Sequence, residues 1–373
     1  MNKCLHIITL NIPYPPDYGG IIGTYYRIES LHRLGVLIHL HCFEYGRSHS
    51  KELESLCETV NYYPRRSGLL SFMSVLPGIV LSRKSSSLIN NLMKDNFPIL
   101  FDGLHTTYYI NHPGIADRKK FVRSNNIEHQ YYLDLSKAES NIVRKLYFYI
   151  ESVKLKRYEK VLSSAACIFT VSGNDQEYFK KKYYNSVLIR PFHPFKESIS
   201  LSGKGEYAIF HGDLSVNENY LIAKSLITNV FSKIPYPLII AGKNSSSRLQ
   251  ESASPYPNIK IIANPDNNKM LELIRNAHIQ VLLAESSNGF KLKLLMGLFA
   301  GRHCLVNSKM IQGTKTDGLC HICNSYEAIA DKILELGQKE FTSEMMEERM
   351  KVLNQFYSTS VNAEKLIDLV FQE

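Results

Sequence analysis

The sequence predicts an α/β fold built from two doubly wound, largely parallel-sheet domains. Three observations carry this. Short apolar runs alternate with stretches of helical periodicity along the chain, the pattern of strands joined by helical crossovers. At 373 residues the chain exceeds what one ordinary core holds, so two domains are expected. The alternation also breaks once, at Pro191-Phe192-His193-Pro194-Phe195 and the polar run to Gly205, and then restarts. Residues 1–195 are therefore taken as one domain and 196–356 as the other.

In the first domain, strands are expected at residues 5–12, 36–43, 99–101, 120–123 and 167–171. Helices are expected at 22–34 and 86–94, with a long one over about 132–163. In the second, strands are expected at 207–210, 238–241, 259–262, 279–283 and 304–306. Its helices fall near 216–231, 268–277, 289–300, 326–336 and 343–356. The opening apolar run ends in Pro13-Tyr14-Pro15-Pro16-Asp17 with no small-residue cleavage site, so it reads as a core strand and not a leader. No stretch reaches the ~18 uncharged apolar residues of a membrane span. A cytoplasmic location is expected.

A hydrophobic fraction of 44% supports packed domains and excludes a disordered chain. The net charge of +9 favours anionic partners such as phosphorylated ligands or anionic lipid. Its basic residues are dispersed and no nucleic-acid module is recognisable, so nucleic acid is not an expected partner. Seven cysteines without regular spacing read as buried free thiols, and the lone Cys320-His321-Ile322-Cys323 as structural, with no metal site expected.

In doubly wound domains, ligands bind beyond the carboxyl ends of the strands. After the first strand, Gly19 and Gly20 permit close backbone approach ahead of a helix start, without the spacing of a dinucleotide fingerprint. After the fourth come Arg123-Ser124-Asn125-Asn126-Ile127-Glu128-His129, more polar groups than a helix cap requires. Glu128 and His129 suit proton transfer or a sugar hydroxyl. The alternative is that Asn125 or Asn126 caps the helix. In the second domain His211-Gly212-Asp213 leads to Ser215 and Glu218, spaced as a capping box, which leaves His211, Asp213 and Asn219 unaccounted for. Gly242-Lys243 and Asn264-Pro265 follow the next two strands, the second equally readable as turn chemistry or as a base-recognition loop.

The densest signal is Ser287-Asn288-Gly289-Phe290-Lys291-Leu292-Lys293, which opens an apolar helix. Lysines in a first helical turn oppose the helix dipole, and a bound phosphate or diphosphate would resolve the conflict. Lys291 and Lys293, two apart, would face different sides of the helix unless it starts after Lys291.

These junctions together resemble the GT-B glycosyltransferases, in particular the GT4-like retaining group and bacterial, often Bacteroides-type, surface-polysaccharide transferases. The segments that carry the resemblance are Pro15-Pro16-Asp17-Tyr18-Gly19-Gly20, Asn126-Ile127-Glu128-His129, Val171-Ser172, His211-Gly212-Asp213-Leu214-Ser215 with Glu218-Asn219, Ala241-Gly242, and Gly289-Phe290-Lys291-Leu292-Lys293-Leu294-Leu295. The resemblance implies two Rossmann-like domains facing across a cleft, with a C-terminal helix of about 357–373 returning to the first. It implies a sugar transferred from a nucleotide-sugar donor, itself a substrate, to a glycan or lipid-linked glycan acceptor, with retention and with neither metal nor cofactor. Gly19, Gly20, His211, Gly212, Asp213, Asn219, Gly242, Lys243, Asn264 and residues 287–293 would bind the donor. His129, Glu128 and Lys291 would take catalytic roles.

The chain departs from its relatives at informative places. The family's paired glutamates around the Gly-Phe loop fall on Asn288 and Met296, and its usual Arg and Lys after the first strand of the second domain fall on Asp213 and Glu218. Lys291 or Lys293 would then replace the missing cationic clamp. The alternatives are a nucleotide-sugar epimerase or hydrolase using Glu128 and Asp213, and a non-catalytic sugar-binding subunit. Two first-domain segments, 69–84 and the basic, aromatic stretch 144–157, have the composition of elements that lie on an anionic bilayer, so peripheral contact with the inner membrane face is expected. The equal alternative is a buried helix with a solvated basic face.

Overall fold

The structure, a computed structural model, describes residues 3–17, 19–66 and 74–372. The chain divides into two compact units. Unit 1 comprises Met1–Pro194, Asn288–Phe290 and Tyr357–Glu373, and unit 2 comprises Phe195–Ser287 and Lys291–Phe356.

In chain order, unit 1 contains β1 (Cys4–Thr9), α1 (Gly19–Arg33), β2 (Leu37–Glu44), α2 (Lys51–Leu56), β3 (Thr59–Pro64), α3 (Gly78–Leu81), α4 (Ser86–Leu92) and β4 (Ile99–Asp102). It continues through β5 (Lys120–Ser124), α5 (Glu128–Ala138), α6 (Ile142–Tyr158), β6 (Cys167–Thr170), α7 (Gly173–Tyr183) and β7 (Ser186–Leu188). Its seven strands are parallel in the order β3-β2-β1-β4-β5-β6-β7. Strand β1 is buried at every position, as a central parallel strand covered on both faces should be. Helix α1 buries Ile21, Thr24, Tyr25, Ile28 and Leu31, a stripe of helical period.

Unit 2 contains β8 (Ala208–His211), α8 (Asn217–Leu226), β9 (Leu238–Gly242), α9 (Ser247–Ala253), β10 (Ile259–Ala263), α10 (Asn267–Asn276), β11 (Ile279–Leu282) and α11 (Leu292–Ala300). It ends with β12 (His303–Val306), α12 (Ser308–Ile311), β13 (His321–Ile322), α13 (Tyr326–Gly337) and α14 (Ser343–Tyr357). Its six parallel strands run β10-β9-β8-β11-β12-β13. Gly297 lets α11 close on the sheet, since a Cβ there would stand 2.9 Å from Leu282 Cδ1. The last helix, α15 (Thr359–Phe371), belongs to unit 1, where Ala363, Leu366, Ile367 and Val370 join the cluster of Ile28 and Leu31.

Both sheets reverse their strand order beside the first strand, between β1 and β4 and between β8 and β11. That reversal defines the crevice where doubly wound sheets hold ligands. The expected fold class is therefore the observed one. Three differences are instructive. The long helix over 132–163 is two helices, because Asn141 accepts from the N–H groups of Val143 and Arg144 and starts α6 afresh. The helix expected from 289 starts at Leu292, after a left-handed Gly289 at φ 65°. Edge strands β3, β7 and β13 add to those the sequence predicts. Of the apolar segment 69–84, residues 69–73 lie outside the described residues, and Gly78–Leu81 form α3, which buries Val80.

Candidate functional site

In unit 1, Gly19 and Gly20 open α1, and a Cβ built at either would meet nothing within 4 Å. The helix is anchored across the reversal point. Arg27 pairs with the buried Asp102 at the end of β4 at 2.8 Å, and Thr24 Oγ1 donates to the same carboxylate at 2.6 Å. Burial alone would raise the Asp102 pKa, but Arg27 and Thr24 hold it below the usual carboxylate range. The exposed first turn of α1 is thus fixed in place.

Beyond β5, neither Asn125 nor Asn126 caps α5. The N-cap is Ile127, with no side-chain hydrogen bond. His129 Nδ1 lies 3.0 Å from Glu159 Oε2. The other Glu159 oxygen accepts from Tyr178 (2.8 Å), Tyr183 (3.2 Å) and Lys182 (2.5 Å). Burial would raise the Glu159 pKa, and the bonds from His129, Lys182 and Tyr178 outweigh it and hold the group ionised. An ionised carboxylate only accepts, so Nδ1 must carry a proton, and in the neutral ring this tautomer puts the lone pair on Nε2. No described residue bonds that Nε2, which leaves it able to accept from a ligand hydroxyl. Glu128 is also buried and stands 3.1 Å from His105 Nε2. The two are misaligned, and Glu128 Oε2 and both His105 ring nitrogens lack hydrogen-bond partners among the described residues.

The tripeptide Asn288–Phe290 groups with this unit. Asn288 Nδ2 donates to Asp134 at 2.6 Å, and the Phe290 ring lies 5.5 Å from that of Tyr357. Gly289 is required twice over. Its φ is positive, and a Cβ would fall 2.2 Å from Asn126 Oδ1 and 2.6 Å from Asn125 O.

In unit 2 the strand ends β8, β9, β10 and β11 gather a connected set. Gly242 must lack a side chain, because a Cβ would sit 1.8 Å from Gly212 O, and one on Gly212 would meet Asn219 at 3.0 Å. Asp213 accepts from the Ser215 N–H (3.0 Å), Ser215 Oγ (2.7 Å) and Asn244 (3.3 Å). These bonds and the Lys243 charge outweigh burial and keep Asp213 ionised. Asn219 Nδ2 donates to Asp213 O at 2.9 Å, and Asn219 Oδ1 accepts from Lys293 Nζ at 3.4 Å. Lys293 also donates to Leu283 O at 3.2 Å and lies 5.4 Å from the centre of the Phe210 ring.

The partners of Lys293 are thus neutral. Burial pulls its pKa down to about 8, with Glu218 raising it and Lys291 lowering it further. His211 lies buried with Nε2 unbonded, its pKa pushed down to about 3 by burial and by the Lys293 charge, so the ring is neutral. Helix α11 follows, with Lys291 as an N-cap residue that supplies no side-chain acceptor. Its first-turn N–H groups have no intrahelical carbonyl to bond. An ammonium, a neutral imidazole and a helix N-terminus at one reversal point form a cation-rich, donor-rich place suited to an oxyanion.

The structure thus brings His211, Gly212, Asp213, Asn219, Gly242, Lys243, Asn264, Lys291, Leu292 and Lys293 to one set of strand ends in unit 2, with Ser287 just before Asn288. It puts Gly19, Gly20, Glu128, His129 and Asn288–Phe290 in unit 1. The capping box is corrected. The helix cap is Val216, Ser215 bonds Asp213, and Glu218 instead accepts from the Glu285 N–H at 2.7 Å. Asn264 is held as a left-handed turn residue at φ 50°, accepting from the Asn244 N–H at 2.9 Å. Sequence reasoning missed Glu159 and His105, and Asn307, whose carboxamide bonds both backbone groups of Ala284 beyond β11. Glu159 lies 30 positions from its histidine, and no spacing rule links them. Among the described residues, no group of three or more His, Cys, Asp or Glu side chains is placed to hold a metal ion, and no helix is long and apolar enough to cross a membrane.

No family model matches the chain. Over 198 residues it is 26% identical to an uncharacterised 44.6 kDa protein in the cps region of Klebsiella pneumoniae. The match covers 51% of each chain, so the chain spans about half the length of the curated relative it matches. Two solved structures are similar over nearly the full length. HepE of Anabaena, in complex with UDP and glucose, gives a TM-score of 0.67 at 11% identity, covering 99% of each chain. A mutant of S. aureus TarM, in complex with fondaparinux, alpha-GlcNAc-glycerol and UDP, gives 0.67 at 9% identity, covering 99% of this chain and 100% of that one. At these identities the likeness is one of fold, and the chain has the GT-B fold implied by its strand-end segments.

Proposed function

We propose that the chain is a glycosyltransferase that moves a sugar from a nucleotide-sugar donor to a glycan or lipid-linked glycan acceptor in surface-polysaccharide synthesis. One observation carries the reading. Lys293 is a half-buried ammonium with neutral hydrogen-bond partners, set at the strand-order reversal of unit 2 beside a helix N-terminus and the unbonded Nε2 of His211. A donor diphosphate would supply the missing negative charge, and as it leaves, these donors would stabilise the charge that develops on it. The UDP in the HepE and TarM structures and the cps region of the Klebsiella relative support this choice among anions.

In this reading Lys293, His211, Gly212, Gly242 and the start of α11 hold the donor, with Lys291, Lys243, Asp213 and Asn219 around them. His129, fixed by Glu159, would accept a hydrogen bond from a hydroxyl of the transferred sugar or the acceptor. Gly19 and Gly20 would admit the backbone close to a phosphate. Retention of configuration and independence of metal enter through the family resemblance alone. The epimerase reading loses force, because Asp213 is committed to Ser215 and Asn244. Thermal denaturation with UDP, GDP, CMP and dTDP, followed by donor hydrolysis with the nucleotide that stabilises, tests the proposal. Stabilisation by one of them, abolished in Lys293→Met, is expected. If no nucleotide stabilises the protein, the transferase reading fails.

A further inference from the structure

Helix α6 carries an apolar face with no covering element among the described residues. Ile142 (80% exposed), Val143 (78%), Leu146 (56%), Tyr149 (53%), Ile150 and Val153 are all exposed. At 100° per residue they fall within an arc of about 120° on one side of the helix. The opposite side holds the contacts to the rest of unit 1, with Glu151, Ser152 and Leu155 buried. A continuous apolar stripe of this kind on a charged protein marks an interaction surface.

The charges on the helix say what covers it. Its exposed ionised residues, Arg144, Lys145, Lys156 and Arg157, are all basic. The one acid, Glu151, is turned inward, where it pairs with Lys154 at 3.0 Å and accepts from the Gly78 N–H at 2.7 Å. By helical geometry Lys145 and Lys156 stand about 80–100° to one side of the centre of the apolar arc, Lys154 and Tyr147 a similar angle to the other, and Arg157 prolongs it. A second copy of this chain laid on the same face would bring basic rims together. An anionic bilayer would instead receive the apolar arc between its acyl chains and the lysines at its headgroups. The 17 residues of α6 give a contact about 25 Å long lying in the membrane plane, not across it.

We infer that the outer face of α6 is a docking surface for an anionic lipid bilayer, with Ile142, Val143, Leu146, Tyr149, Ile150 and Val153 entering the interface and Lys145 and Lys156 reaching the headgroups. The sequence weighed bilayer contact equally against a buried helix with a solvated basic face, and the exposed apolar arc favours the bilayer; the inference holds whether or not unit 2 binds a nucleotide sugar.

The test is flotation of the full chain with vesicles of phosphatidylcholine alone and of phosphatidylcholine mixed with phosphatidylglycerol. Binding to the mixed vesicles only, weakened by salt, is expected. Leu146→Glu with Ile150→Glu should reduce it at least about tenfold, and Lys145→Glu with Lys156→Glu should do the same and remove the salt dependence. These positions are solvent-exposed, so unchanged melting and unchanged nucleotide response would confirm intact variants. Absence of binding to phosphatidylglycerol vesicles overturns the inference, as does equal binding by the Leu146→Glu, Ile150→Glu variant. Without vesicle binding, a dimer in solution dissolved by that variant would assign the face to self-association, and a monomer would leave the face to an acidic protein partner. Either result refutes a bilayer surface.

Discussion

Two charge clusters, one in each unit, are built on opposite principles. In unit 1 the Glu159 carboxylate is saturated, with His129 on one oxygen and Tyr178, Tyr183 and Lys182 on the other. In unit 2 the Lys293 ammonium meets a carboxamide oxygen and a backbone carbonyl, while the neighbouring His211 keeps a bare nitrogen. A saturated cluster stabilises the fold and fixes the orientation of one imidazole. An unsaturated one costs stability in the empty protein and regains it when an anion arrives. Their difference therefore separates residues that hold a group still from residues that wait for one.

The largest expected effect comes from unsaturating the first cluster. Glu159→Gln keeps the shape but removes the charge that defines the His129 tautomer, and it leaves Lys182 and two phenols around a neutral amide. Loss of a buried ionic partner should destabilise unit 1 by about 3 kcal/mol. Under the transferase reading, turnover should fall about 100-fold with little change in nucleotide affinity. Chemical denaturation and steady-state kinetics check both. An unaltered turnover would reduce His129 to a structural residue.

Next comes the reverse operation on the second cluster. Lys293→Met removes a cation that burial disfavours, so the ligand-free protein should gain about 1–2 kcal/mol while affinity for the nucleoside diphosphate falls about 50-fold. Calorimetry on the free and nucleotide-bound protein reads the two together. If both fall, Lys293 is a structural residue and the contrast between the clusters collapses.

A third effect follows from the pKa of Lys293, near 8 in the folded chain against 10.5 for a free lysine. Below pH 8 it is charged folded or unfolded, and its burial penalty is present in full. Between about 8 and 10.5 the folded state loses the proton first, so the ligand-free protein becomes more stable as pH rises. A bound diphosphate favours the ammonium, so binding takes up a proton in this range, and affinity should fall about fivefold from pH 8 to pH 9. Titration in buffers of different ionisation enthalpy detects the uptake. A flat profile through pH 9 would place the diphosphate away from Lys293.

Much of this contrast was legible in the chain and some of it was not, for physical reasons. Short apolar runs and period-3.6 patterning marked both sheets and their crossovers, because buried parallel strands must be apolar along their length, as β1 is. The edge strands β3, β7 and β13 have half-exposed positions and carry little of that signal. The lysines before α11 were visible as an electrostatic conflict, but the start of the helix was not, since a left-handed Gly289 and a cap without a side-chain acceptor leave no capping motif to read. Ser215 and Glu218 show the converse. Their spacing matched a capping box, yet Asp213 claimed the serine and the Glu285 backbone claimed the glutamate. Glu159 was out of reach of local reasoning, because a helix break at Asn141 brings it back onto His129.

The smallest effect is expected at Asn264, which sits between the two principles. Its side-chain oxygen already holds the Asn244 N–H, and its backbone is left-handed, so turn chemistry accounts for the residue. Asn264→Gly would remove one hydrogen bond, worth about 1 kcal/mol, and relieve a left-handed conformation that costs asparagine a comparable amount. The two changes nearly cancel. The melting temperature should therefore move by no more than about 2 °C, and nucleotide affinity by less than about threefold. A loss of tenfold or more in affinity without a change in melting would mean that the carboxamide leaves Asn244 to meet the base. Asn264 would then belong with Lys293 among the groups that wait for a ligand.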